Sequence, residues 1–142
     1  MRQTKGLSRI KVSEEVADMS CVVALVDNGE IYIGADSFCA DGGTFYPVVD
    51  QKIFTKKKLL IGCTGKFRVI NLIHHAFILP DLQSGQSFEQ YLNTNFVDAI
   101  RDCLRKAGSL KNESGMETME AVMLVGHEGR LFVVEEDFNT VG

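Results

Sequence analysis

The sequence has no apolar run approaching the ~18–20 residues that a bilayer-spanning helix needs, so no helical membrane segment is expected. Its first 18 residues carry two Lys, two Arg, Glu14, Glu15 and Asp18, without the apolar stretch of a secretory signal, and the expected location is the cytoplasm. There is no excess of basic residues: a net charge of −4 argues against nucleic acid as a partner, which wants a basic footprint. The four cysteines, Cys21, Cys39, Cys63 and Cys103, form no CxxC and no Cys/His pairing at metal spacing. No metal is therefore expected, and Cys39, Cys63 and Cys103 read as small buried hydrophobes in a reducing compartment. Also missing are GxSxG, a P-loop, HExxH and a dinucleotide fingerprint, which leaves no expected cofactor. No internal repeat or low-complexity segment is visible.

What is present is enough for one domain: 142 residues, 45% apolar and 24% charged. Residues 1–19 read as a leader or propeptide that the fold does not need, and residues 20–142 as the domain. From Ser20 the pattern changes abruptly. Cys21-Val22-Val23-Ala24-Leu25-Val26 is apolar and rich in β-branched residues, and Asn28-Gly29 separates it from Glu30-Ile31-Tyr32-Ile33-Gly34-Ala35-Asp36. Asn-Gly between two such runs predicts a hairpin, because both residues tolerate φ > 0. Asp41-Gly42-Gly43 predicts a further turn. Lys52-Ile53-Phe54-Thr55 and Leu59-Leu60-Ile61-Gly62-Cys63 predict a second hairpin, with Lys56-Lys57-Lys58 as a solvated tip.

The period then lengthens. Phe67, Ile70, Ile73 and Phe77, with Val69, Leu72, Ala76 and Leu79, predict a helix that Pro80 ends, apolar over much of its circumference. His74 and His75 point about 100° apart on it and read as structural. Ser87 and Gln90 fit a capping box opening a second helix through Phe96 and Leu104, with Gly108 as its C-terminal stop. Residues 112–118 read as loop. Ala121 to Val125 and Leu131 to Val134, around Gly126-His127-Glu128-Gly129, predict a third hairpin. This order is that of an α+β fold with antiparallel sheets and two helices packed on a sheet face.

Polar residues at the ends of buried strands are the remaining candidates for chemistry. Ser20 opens the first strand, Asp36 closes the second, Lys52 opens a later one, and Gly65 stands just before the first helix. Ser20, Asp36 and Lys52 each have a plain reading alone, as a strand boundary, a turn former and a solvated strand end. Together, Ser20-Cys21-Val22-Val23-Ala24-Leu25, Asn28-Gly29 and Ile33-Gly34-Ala35-Asp36-Ser37 resemble the opening of proteasome β subunits and the related bacterial ATP-dependent peptidase. The chain resembles in particular the proteasome-like proteins of bacteria and their phages, which share Phe67-Arg68, Phe96-Val97-Asp98-Ala99 and Gly129-Arg130-Leu131-Phe132.

The resemblance implies an N-terminal-nucleophile αββα sandwich of antiparallel sheets, with the C-terminal helical layer expected to be truncated after Gly142. It places the nucleophile at Ser20, where most relatives carry Thr. The family's Asp falls on Asp36 and its Lys on Lys52, 16 and 32 residues on from Ser20 without a gap. Ile61-Gly62-Cys63-Thr64-Gly65 is similar to the family's oxyanion segment, so Gly65 is the implied N–H donor and Cys63 an implied lining residue of the S1 substrate pocket.

The chemistry fits these positions. A chain-terminal α-amine titrates near ~7.7–8.0 and so can take the hydroxyl proton at neutral pH. Cys21 is a competing nucleophile only if processing falls one residue later. The implied activity is a threonine-protease-like endopeptidase subunit acting in an oligomeric homo-oligomer ring on peptides or unfolded proteins, with an ATP-dependent unfoldase as a possible partner. A catalytically inactive assembly subunit is the alternative, and a small amidase on a non-peptide substrate the third reading.

Overall fold

The computed structural model describes residues 8–11, 21–35, 38–41, 44–47 and 52–142, with the backbone alone for 8–11, 38–41 and 44–47. The first strand, β1 (Ser8–Lys11), lies within the expected leader and pairs antiparallel with β2 (Cys21–Asp27), Ser8 opposite Ala24 and Lys11 opposite Cys21. Asn28 and Gly29 have φ of 51° and 76°, the pair of left-handed residues a tight hairpin requires, and join β2 to β3 (Glu30–Ala35). These three strands form one sheet. β4 (Phe38–Asp41) and β5 (Thr44–Pro47) pair across the predicted glycine turn, whose Gly42 and Gly43 lie outside the described residues.

The larger sheet has five strands. β6 (Ile53–Lys56) and β7 (Leu59–Gly65) are a hairpin. After the helices and a two-stranded excursion come β10 (Ala121–His127), β11 (Arg130–Val134) and β12 (Thr140–Val141), in the spatial order β12-β11-β10-β7-β6. All its pairings are antiparallel. One face carries Ile61, Cys63, Met123, Val125, Phe132 and Val134 into a core shared with α1 (Phe67–His75), α2 (Phe88–Tyr91), a π-helical turn (Leu92–Phe96) and α3 (Val97–Lys106). The other face packs Leu124, Leu131 and Val133 against Val22, Ala24, Ile33 and Ala35 of the three-stranded sheet. The architecture is α+β with antiparallel sheets, as the sequence predicted. Among the described residues no helix is long and apolar enough to cross a membrane.

Three local readings change. The first helix stops at His75, not Leu79, because Phe77 N–H closes a wide turn onto Leu72 O at 2.8 Å and the chain then runs extended. Phe77 and Leu79 still enter the core from that segment, with Ile78 between them turned outward. The lysine tip is not simply solvated: Lys56 Nζ donates to Phe77 O at 2.9 Å and Lys57 Nζ pairs with Asp81 at 2.6 Å, tying the extended segment to the β6–β7 turn. Part of the 112–118 loop is a hairpin, β8 (Lys111–Glu113) and β9 (Met116–Thr118), turned by Ser114 and Gly115 at φ 52° and 85°. Its strands have no buried face, so no apolar alternation announces them. The Ser87–Gln90 capping box is present, and Gly108 at φ 72° ends α3 with Ser109 N–H bonded to Leu104 O.

Candidate active site

The β6 ladder ends at Ile53 opposite Gly62, and one further bond continues it, Cys63 N–H to Lys52 O at 2.8 Å. That bond holds Lys52 beside Cys63. Strand alternation puts Lys52 on the same face as Phe54, toward the helices. There its Nζ lies 5.8 Å from the centroid of Phe67, the first residue of α1. Lys52 is 3% exposed. Lysines are almost never this buried at a strand end that merely faces water, so the solvated reading does not hold.

Gly65 ends β7 at φ 125°, a conformation that side-chain-bearing residues avoid. Lys66 N–H donates to Glu120 O at 3.0 Å, so in an antiparallel ladder the N–H of Gly65 points the opposite way, as that of Cys63 does. It is aimed at the side where Lys52 stands, and among the described residues none of β6 pairs with it. The same glycine leaves no room for a side chain: a Cβ would meet Glu120 O at 2.5 Å and Ala121 Cα at 2.7 Å.

Ser20 and Asp36 lie outside the described residues. The residues bonded to them, Cys21 and Ala35, end β2 and β3, and Val22 is paired with Ala35. A Cβ on Gly62 would be 3.0 Å from Val22 Cγ1 and 3.0 Å from Ile33 Cγ2, so this end of the smaller sheet rests on β7 one residue from Cys63. Lys52 is thus held opposite Cys63, two residues before Gly65 on β7. Cys63 is also here but fully buried, and burial pushes its thiol up to about 12, which keeps it protonated and inert. Thr64, next along the strand, is 1% exposed on the other face.

A cleft of about 630 Å³ opens at the far end of the larger sheet, beside Leu59, Phe88, Tyr91, His127 and Phe132. Of the candidate residues, Lys52, Cys63 and Gly65 do not line it. Its charges largely neutralise one another, Lys57 with Asp81 at 2.6 Å and Arg130 with Glu89 at 2.8 Å. Among the described residues no three His, Cys, Asp or Glu side chains gather as a metal site would.

No protein-family model matches the chain, and no curated protein matches it by sequence. Solved structures do. Thiobacillus denitrificans BPH superposes with a TM-score of 0.63 at 19% identity, over 86% of this chain and 66% of that one. Thiobacillus denitrificans BPH in complex with Epoxomicin superposes with a TM-score of 0.60 at 12% identity, over 95% of this chain and 66% of that one. The chain has a proteasome-like fold. At these identities the likeness concerns the fold alone, and the chain spans about two thirds of the length of the structures it matches.

The sequence did not single out Lys66 or Glu120, which close the Gly65 corner through a backbone bond and a 3.3 Å ion pair. Neither belongs to a motif, and only the pairing of β7 with β10 brings them together.

Proposed function

We propose that this chain is an endopeptidase subunit of the N-terminal-nucleophile type, on an αββα sandwich to which the described residues contribute two sheets and one helical layer. The domain is residues 20–142, and residues 1–19 are a leader whose removal frees the α-amine of Ser20. That amine takes the Ser20 hydroxyl proton as Oγ adds to the scissile carbonyl. Gly65 N–H holds the oxyanion, and the proton passes to the departing amine as the C–N bond breaks. Water then adds to the acyl-Ser20 ester by the same route and releases the second product.

The Lys52 ammonium stands beside the nucleophile and favours the developing alkoxide, while Asp36 holds Lys52 in place. Cys63 supplies buried volume beneath the substrate pocket rather than exposed surface. The observation that carries this reading is the burial of Lys52 opposite Cys63, at the end of β7 that Gly65 closes. It is supported by the proteasome-like fold shared with Thiobacillus denitrificans BPH, whose structure is also known in complex with epoxomicin.

The subunit is proposed to work in the cytoplasm as a homo-oligomeric ring that confines the site, fed with unfolded chains by an ATP-dependent unfoldase. A second reading is an inactive assembly subunit. It is favoured by the pairing of β1 with β2, which ties part of the segment ahead of Ser20 into the sheet.

The test is turnover of a chromogenic peptide panel beside simple amides, by protein beginning at Ser20 and by the Ser20→Ala variant. Peptides are expected to be cleaved and simple amides not, with Ser20→Ala reduced to background. Cleavage of amides in preference to peptides would replace the peptidase with an amidase, and inertness toward both would favour the assembly subunit.

A further inference from the structure

We infer that Glu120 is a positioning residue for the Gly65 corner, an inference that rests on the proposed role of Gly65 as oxyanion donor. Glu120 precedes β10 and has φ of 53°, although it is not a glycine. A long side chain in the left-handed region persists only where its surroundings over-determine it. They do so here on both sides. Met119, fully buried, donates its N–H to Glu136 O at 3.0 Å, and Ala121, also fully buried, begins the ladder with β7 opposite Gly65.

Held this way, Glu120 grips Lys66 at two points. Its carbonyl accepts the Lys66 N–H at 3.0 Å, and its carboxylate lies 3.3 Å from Lys66 Nζ, with Lys111 Nζ 3.7 Å from the other oxygen. The consequence falls on Gly65. The peptide before it is fixed through the Thr64–Val122 pair, and the peptide after it is fixed by Glu120. The Gly65 N–H lies in the first of these planes; a glycine at φ 125° has no side chain to limit rotation between the two, so that plane keeps its direction only while both are held. Glu120 secures the second. The close approach that Gly65 permits, with the Glu120 oxygen 2.5 Å from where a Cβ would stand, is the contact through which it acts.

The experiment compares Glu120→Gly and Glu120→Gln with the parent protein, each in the processed form beginning at Ser20. It reads kcat, KM, Tm and the hydrogen exchange of the Lys66 amide. Glycine removes the carboxylate and frees the backbone while tolerating positive φ, so Tm is expected not to fall. With the donor loosened, kcat is expected to drop about tenfold at a KM within about twofold, since a small misplacement acts on the transition state. The Lys66 amide is expected to exchange at least about tenfold faster. Glu120→Gln keeps an oxygen acceptor for Lys66 Nζ and is expected to retain kcat within about threefold.

Parent-like kcat in Glu120→Gly, a kcat loss that merely follows a loss of Tm, or unchanged Lys66 exchange would each overturn the inference. A parent protein that is processed but inert toward peptides would overturn the peptidase reading instead. The exchange rate then decides alone whether Glu120 clamps Lys66.

Discussion

Lys52→Ala is expected to lower kcat on peptide substrates by on the order of 10²–10³, about 2.7–4 kcal/mol of transition-state stabilisation, with KM little changed. The side chain is 3% exposed, its carbonyl is fixed by Cys63 N–H, and its Nζ lies over the Phe67 ring. A charge held in a buried, pre-organised place is worth more to a developing alkoxide than one in water. Lys52→Arg should not restore the rate, because a planar guanidinium does not fit the space of a compact ammonium beside a crowded nucleophile. Lys52→Met keeps most of the buried stem without the charge and should fold as the parent does, with the alanine variant's loss of rate. Circular dichroism and steady-state turnover of processed proteins check all three. Equal rates would remove Lys52 from the mechanism, however well buried it is.

Gly65→Ala is expected to cost both stability and activity. The added methyl would lie 2.5 Å from Glu120 O, held by the Lys66 N–H, and 2.7 Å from Ala121 Cα of β10, both backbone atoms that cannot swing aside. The φ of 125° is strained for alanine in addition. Strain and overpacking together put the loss on the order of 2–5 kcal/mol. That corresponds to a fall in Tm of roughly 10 °C, and folded variant protein should have little turnover because the corner carrying the N–H must shift. Gly62→Ala is the informative comparison, since its methyl would be tight only against the side-chain methyls of Val22 and Ile33, at 3.0 Å, with Ile53 Cγ1 in ordinary contact at 3.8 Å. These can yield, so about 1 kcal/mol is expected there, at the lower limit for overpacking. Differential scanning calorimetry separates the two. A Gly65→Ala protein as stable and active as Gly62→Ala would mean that the corner is not rigid.

Legibility from sequence follows where the physics is local. The Asn28-Gly29 hairpin was readable because two residues at positive φ sit between two β-branched runs, and the Ser87–Gln90 box because its two hydrogen bonds are three residues apart. The end of α1 was not. Ile78 is as apolar as its neighbours, so Phe77, Ile78 and Leu79 looked like more helix, whereas the chain there alternates buried, exposed, buried. What diverts it is lysine donors from the distant β6–β7 turn. The β8–β9 hairpin was hidden for the opposite reason, since it buries nothing.

At the site, Lys52 and Gly65 were picked out by resemblance, and no periodicity marked them. Lys-Ile-Phe-Thr reads as a strand with a wet end until the ladder and α1 close over it. Glu120 had no signal at all. Its importance lies in a backbone conformation and in a neighbour that is remote in sequence.

The central claim is that Ser20 becomes a chain terminus and that its free amine is the base. Intact mass spectrometry of the purified protein, with peptide turnover measured on the same sample, addresses it directly. Every active preparation is expected to have a mass matching residues 20–142, and turnover is expected to be lost when processing is blocked. Full-length chains beginning at Met1 with undiminished peptidase activity would contradict it.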